Sequence, residues 1–221
     1  MVENLFAKNL TAKEQKMETI KEIGFRRLYQ QYVYIEHQDK LDILGQYFEG
    51  SEQATGVLAY CYVDHEAGLT FEVLALAKKA GEALDFYSGN DTITIKFRYG
   101  SVAESEALLL SNVLPPLKAY AEKAERIAAA YAYSEAVAKT RLLANLDICR
   151  HEEYPDDVLV YLVHGDDHIE GCYARLEDVG EMNLTGILLN EPVYDFGVHQ
   201  GDSFSFYLVK NERGIMCMAI R

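Results

Sequence analysis

The run HGDDHIEGCYARLEDV, from His164 to Val179, holds two histidines, five acids and a cysteine within sixteen residues. Imidazole and carboxylate together are donors that suit zinc, iron or manganese. His164 and His168 flank the residues GDD, so in a hairpin they face each other across two strands, with Asp166, Asp167 or Glu170 as further ligands. A divalent transition metal is therefore one reading of this stretch. The other needs no cofactor: Gly165, Asp166 and Asp167 make a turn because glycine accepts positive φ and aspartate caps backbone amides, leaving the histidines solvated. Metal-dependent hydrolysis with His168 or His199 as general base lacks a protein nucleophile, since the chain has no G-x-S-x-G elbow and no cysteine adjoins a histidine. Neither G-x-x-x-x-G-K-[ST] nor G-x-G-x-x-G occurs, which excludes nucleotide binding through those loops. The balance favours a binding protein over an enzyme.

A second candidate lies in LNEPVYDFGVHQG, where Tyr194, Asp195, Phe196 and His199 fall between Pro192 and Gly201. Aromatic residues beside an acid on an exposed loop make a peptide-contact surface. The competing reading is structural, with Asn190, Pro192, Gly197 and Gly201 shaping two connections.

These residues must be held by β structure. From residue 151 the chain offers only strand-like runs, DVLVYLVH, HIEGCYARLEDV, MNLTGILLN, DSFSFYLVK and GIMCMAIR, separated by turn residues. Five such strands predict a small antiparallel barrel or curled sheet. HEEYPDD before them reads as a linker, which sets domains at 1–150 and 151–221.

The first 150 residues read as α+β. TAKEQKMETIKEIG carries a capping box at Thr11 and Glu14 and a stop at Gly24, predicting a helix over 12–23. YVYIE, TGVLAYCYVD, LTFEVLALAK and DTITIKFRYG read as strands of an antiparallel sheet, and the HEAG between the second and third suits a hairpin. The alternation of Ile93, Ile95 and Phe97 with Thr92, Thr94, Lys96 and Arg98 predicts a sheet with one wet face. After Gly100 the period turns helical; past Pro115 and Pro116 the spacing of Leu117, Tyr120, Ala121, Ala124, Ile127, Ala128 and Tyr131 predicts one long helix to about residue 148. That helix either covers its own sheet or serves self-association, which makes a homodimer one expectation.

The run GDDHIEGCYARLEDV, then LTGILLNEP and GVHQGDSFSFYL, resembles the YegJ-like bacterial domain of unknown function through Glu170, Tyr173, Gly186, Leu188, Asn190, Pro192, Gly201, Asp202, Phe204 and Phe206. The likeness spans about the last 60 residues; the chain departs from the pattern in having no tryptophan. The resemblance implies a cytoplasmic bacterial accessory or binding module and supplies no activity.

Composition narrows the partners. Fourteen acids against four bases lie between His151 and Arg221, a formal charge of −10, whereas the first 150 residues carry 21 acids and 17 bases. Such a surface repels phosphate backbones, so nucleic acid is excluded and a basic protein partner is expected, a small basic toxin neutralised by an immunity-type protein being one form of it. No run approaches the roughly 18 apolar residues of a membrane span. The start MVENLFAKNLTAKEQK has no apolar block behind a basic one, so the expected location is the cytoplasm. Cys61, Cys149, Cys172 and Cys217 form no CxxC pair and read as reduced thiols.

Overall fold

A computed structural model describes residues 16–37, 41–81, 83–110, 115–165, 168–212 and 214–221. The class is α+β, with two separate sheets, and the chain divides into compact units Met1–Tyr131 and Ala132–Arg221. The division falls some way before residue 150, so the segment that follows Tyr131 belongs with the barrel.

In the first unit, β1 (Glu18–Thr19), β2 (Tyr32–Glu36), β3 (Gly56–Asp64), β4 (Gly68–Ala80), β5 (Ala83–Phe86), β6 (Lys96–Arg98) and β7 (Glu106–Leu110) form one antiparallel sheet of order β1-β7-β2-β3-β4-β5, with β6 also on β4. Successive residues of a strand point to opposite faces, and here both faces are covered. Val33 and Ile35 enter a core with α1 (Ile20–Leu28), α2 (Leu41–Leu44) and α3 (Tyr99–Val102); Tyr32 and Tyr34 enter another with Leu117, Ala124 and Ile127 of the segment after Pro115. The expected wet face is therefore absent from the centre of this sheet, and β3 is buried along nearly its whole length.

Three expectations in this unit are corrected. Thr11 and Glu14 lie outside the described residues; the capping box of α1 is one turn pair further on, where Thr19 Oγ1 accepts from the Glu22 amide and the Glu22 carboxylate accepts from the Thr19 amide. Gly24 does interrupt the helical backbone, at φ 72 and ψ 164, a conformation open to glycine alone at little cost, but a second helical segment follows it directly, so α1 is two short helices meeting at a kink. DTITIKFRYG is strand only over Lys96–Arg98, and EALLL, read as helical, is β7, paired between β1 and β2. A short run of leucines carries no period, so tertiary pairing decides it.

The long helix is not present either. A 3-10 turn (Pro115–Tyr120) leads into α4 (Ala121–Ala130), and α5 (Glu135–Leu142) and a second 3-10 turn (Ala144–Cys149) follow in the other unit. The break has a chemical cause: Ser134 is an N-cap whose hydroxyl accepts from the Val137 amide at 3.1 Å, and a cap starts a new helix rather than continuing an old one. A single docking helix over 116–148 is ruled out. Among the described residues no helix is long and apolar enough to cross a membrane.

The second unit is a closed barrel of β8 (Asp157–His164), β9 (His168–Val179), β10 (Leu184–Leu188), β11 (Ser203–Asn211) and β12 (Gly214–Ile220), neighbours pairing antiparallel except for a parallel seam of β12 on β8. Its interior is Val158, Val160, Leu162, Cys172, Ala174, Leu176, Phe204, Phe206, Cys217 and Ala219, with Leu146 and Cys149 packed into the same core. The β9–β10 ladder shifts register between Thr185 and Gly186, and a Cβ on Gly186 would stand 2.6 Å from the Arg175 carbonyl oxygen, so only glycine fits at this bulge. Arg141 of α5 donates through Nε and Nη2 to Asp156 at 2.9 and 2.7 Å, both side chains 2% exposed, which locks the helix to the start of the barrel.

Candidate functional site

At one end of the barrel the His164–His168 hairpin lies against the start of the 190–200 loop. His164 and His168 are register partners across the β8–β9 hairpin, joined through Gly165 at φ 61; Asp166 and Asp167 lie outside the described residues. Both histidines share the strand parity of the core-facing Val158, Val160, Leu162, Cys172 and Ala174, and both are exposed, which sets them on the inward side of the barrel rim. The His168 ring stands 4.8 Å from that of Tyr194, at 60°. The hairpin and the 190–200 loop thus meet.

Glu170, the remaining candidate ligand, is engaged elsewhere. Its carboxylate accepts from the Val193 amide at 2.9 Å through each oxygen and from the Tyr194 amide at 3.3 Å. Among the described residues no three histidine, cysteine or acidic side chains are arranged to hold a metal ion. What the described part of the rim offers a cation is a histidine pair.

The loop is built by side chains capping backbone. Asn190 Oδ1 accepts from the Tyr173 amide, Glu191 from the Gln200 amide, Asp195 from Gly197 and Asp202 from His199, all at 2.8 to 2.9 Å. Glu191 also meets His199 Nδ1 at 2.8 Å. The Gln200 amide first, and His199 second, hold the Glu191 carboxyl below the usual range, while Glu191 raises the His199 imidazole above its ordinary value. Of the four proposed binding residues, Tyr194, Asp195 and His199 are exposed; Phe196 is not, being 2% exposed and part of the barrel core with Val198. Sequence reasoning missed Val193, the most exposed of the group at 84%. Its signal was available, as an apolar residue between the loop's proline and its tyrosine.

Below the loop lies an open cleft of about 500 Å³ lined in part by Val198, Asp202, Phe204 and Arg221, with the Arg221 guanidinium 5.4 Å from the centre of the Phe204 ring. It offers one cation, one acid and an aromatic face. All four cysteines are free and buried, Cys149, Cys172 and Cys217 in the barrel unit and Cys61 in the sheet unit. A hydrogen bond from the Cys217 thiol brings Cys149 down to about 7 and correspondingly raises Cys217.

The first unit carries a group of titratable side chains that no spacing in the sequence announced. Strand register aligns Tyr62 with Thr70 and Arg98, and Tyr60 with Glu72 and Lys96. Arg98 donates to Thr70 Oγ1 at 2.5 Å and reaches Asp64 at 3.3 Å; Lys96 donates to the Tyr131 hydroxyl at 2.5 Å; Lys123 donates to the Asn90 carbonyl at 3.1 Å. Glu72 is 5% exposed, and burial raises its carboxyl against the opposing pull of Lys123 and Lys96. The Tyr62 ring lies 4.2 Å from that of Tyr131, and among the described residues its buried hydroxyl has no hydrogen bond of ordinary geometry, burial first and Tyr131 second raising it. Each cation here has an acceptor within its own unit, so the cluster fastens β6 and α4 to the sheet.

No known protein family, no curated protein and no solved structure matches this chain.

Proposed function

We propose that the chain is a non-catalytic protein-binding module, acting in the bacterial cytoplasm, that recognises a basic partner through the 190–200 loop of its acidic barrel. The observation that carries this reading is the treatment of Val193 and Tyr194, which are 84% and 53% exposed while their amides are held by Glu170. An apolar and an aromatic side chain pinned in solvent lose little entropy on binding, which is what a recognition loop requires. Glu181 and Glu212 are exposed acids on the same unit, as is Asp178, and favour cationic partners. The resemblance to the YegJ-like domain agrees with an accessory role, and neutralisation of a small basic toxin is the most specific form it takes. Panning a random peptide display library on the full chain tests the proposal: ligands rich in lysine and arginine whose capture is lost with Tyr194→Ala are expected, and ligands indifferent to Tyr194 overturn it.

A second reading rests on the register pairing of His164 with His168. Two imidazoles across a hairpin, with Asp166 and Asp167 between them in sequence, are a donor set for a divalent transition metal. Elemental analysis of protein purified without chelator decides it: stoichiometric metal that disappears in a His164→Ala, His168→Ala double variant supports this reading, and metal-free protein removes it.

A further inference from the structure

A small soluble barrel alternates apolar side chains inward with polar ones outward. One flank of this barrel obeys. On β10 and the first half of β11, one outward row is Asp178, Thr185 and Ser205 and the next is Arg175, Ile187 and Ser203, polar at every position but Ile187. The opposite flank does not. Tyr207 of β11 is paired with Met218 of β12, Met218 with Tyr161 of β8, and Tyr161 with Gly171 of β9, giving a row across four strands with no charged group. The next row is Ile220, Val163 and Ile169. Ile220 is 78% exposed, Ile169 62% and Tyr207 49%.

We infer that this flank of β8, β9, β11 and β12 is a docking surface continuous with the 190–200 loop, and that its occupant is a protein segment with an apolar strip bordered by lysine or arginine. The inference rests on the binding role proposed for the loop and extends it to a second wall. Continuity runs along β9: Tyr173, on the same outward face as Ile169 and 38% exposed, donates its amide to Asn190 Oδ1 and accepts from the Leu189 amide, both at 2.8 Å. The barrel is closed, so the occupant cannot add a strand to a free edge and must be held by side chains. Contiguous outward apolar rows of this kind mark contact surfaces. Charge selects among occupants. Two copies would bring together units that each carry fourteen acids against four bases over residues 151–221, and anionic lipid would be repelled for the same reason. A cationic amphipathic segment meets apolar with apolar and base with acid.

The experiment uses the full chain and a fluorescein-labelled 18-residue peptide of leucine and lysine, with its leucine–glutamate counterpart as control, read by fluorescence anisotropy. Met218→Lys on the apolar flank and Ser205→Lys on the polar flank add the same charge. The expected result is binding of the lysine peptide only, weakened about tenfold or more by Met218→Lys and hardly by Ser205→Lys. Ile220→Ser is expected to weaken it in the same direction and serves if the lysine variant loses its native circular dichroism. Equal effects of the two lysine variants overturn the flank. If Val193→Asp abolishes binding while Met218→Lys and Ile220→Ser leave it intact, the loop stands and the flank falls; the reverse pattern removes the loop reading instead. Light scattering that shows a dimer broken by Met218→Lys would make a second copy the occupant and overturn the stated chemistry, as would equal binding of zwitterionic lipid vesicles.

Discussion

Both units bury polar groups, the second Thr140, Arg141, Asp156 and Asp157 at or before the start of β8, but they dispose of the remainder differently. The sheet unit buries Glu72, Lys123, Thr70 and four tyrosines of β2 and β3 between sheet and helix. The barrel keeps an interior of aliphatic side chains, phenylalanine and thiol, turns apolar residues outward on one flank, and uses Glu170, Glu191, Asp195 and Asp202 to hold backbone amides. The difference teaches how net charge is to be read. A carboxylate that caps amides is part of the scaffold, so the charge of the barrel marks a partner only through the acids left exposed, and its exposed apolar residues say more about what it meets.

The comparison can be broken most forcefully at Arg141 and Asp156. Removing one member of a fully buried ion pair leaves an uncompensated charge, so Asp156→Ala is expected to cost about 3–5 kcal/mol in urea unfolding. Arg27→Ala in the sheet unit, which breaks a pair whose side chains are 50% and 31% exposed, is expected to cost at most about 1 kcal/mol. Similar losses for the two would mean that the barrel's ion pair is solvated and the contrast unfounded. A finer test stays within the sheet unit. Tyr34→Phe removes a 2.7 Å hydrogen bond to Thr55 and should cost about 1 kcal/mol, whereas Tyr62→Phe removes a buried hydroxyl with no hydrogen bond of ordinary geometry among the described residues and should leave stability unchanged or raised. A loss at Tyr62 equal to that at Tyr34 would assign its hydroxyl a partner and make the cluster a more specific device than a fastening.

The smallest effect is the titration of the loop. The imidazole of His199 is raised by Glu191, so its contribution is full below the ordinary histidine value of 6.5 and is lost as pH rises through the raised one. The Glu191 carboxyl is lowered, so its contribution is present above the ordinary 4.5 and is lost as pH falls through the lowered value. Between these limits the contact is complete. An NMR titration should place His199 above 6.5, and Glu191→Gln should bring it back toward 6.5; a His199 midpoint at or below 6.5 in the unaltered chain would show that the loop is not anchored there.

Much of the barrel was legible in the sequence, because each of its strands is a short β-rich run bounded by glycine, asparagine or aspartate, although DVLVYLVH and GIMCMAI do not alternate. The hairpin at His164 and His168 was legible as a hairpin but not in register, since one residue of slip exchanges the faces of a strand. β7 escaped because EALLL has neither period. The split of the long helix had a written signal in Ser134-Glu135, overridden by the apolar spacing around it, and Thr19-Ile20-Lys21-Glu22 held the capping box that was sought eight residues earlier. Phe196 looked like a contact residue because aromatic side chains on a loop suggest binding; that it drops into the core depends on a turn made by the Asp195 side chain on the Gly197 amide. The cluster at Glu72 could not be seen at all, as it is assembled from three strands and a helix.

The parallel seam of β12 on β8 also has a consequence in time. Cys217 pairs with Val160 and Ile220 with Val163, so the ring closes only when the ends of the unit meet. Until then β8 shows an open edge to the cell, and β12 another, both lined with residues that pair readily with foreign strands. Such distant closure is slow compared with forming a hairpin. The barrel therefore passes through a stage in which it is adhesive along its backbone before it becomes selective through its side chains, and mutations that delay the seam should raise aggregation in cells well before they alter the folded protein.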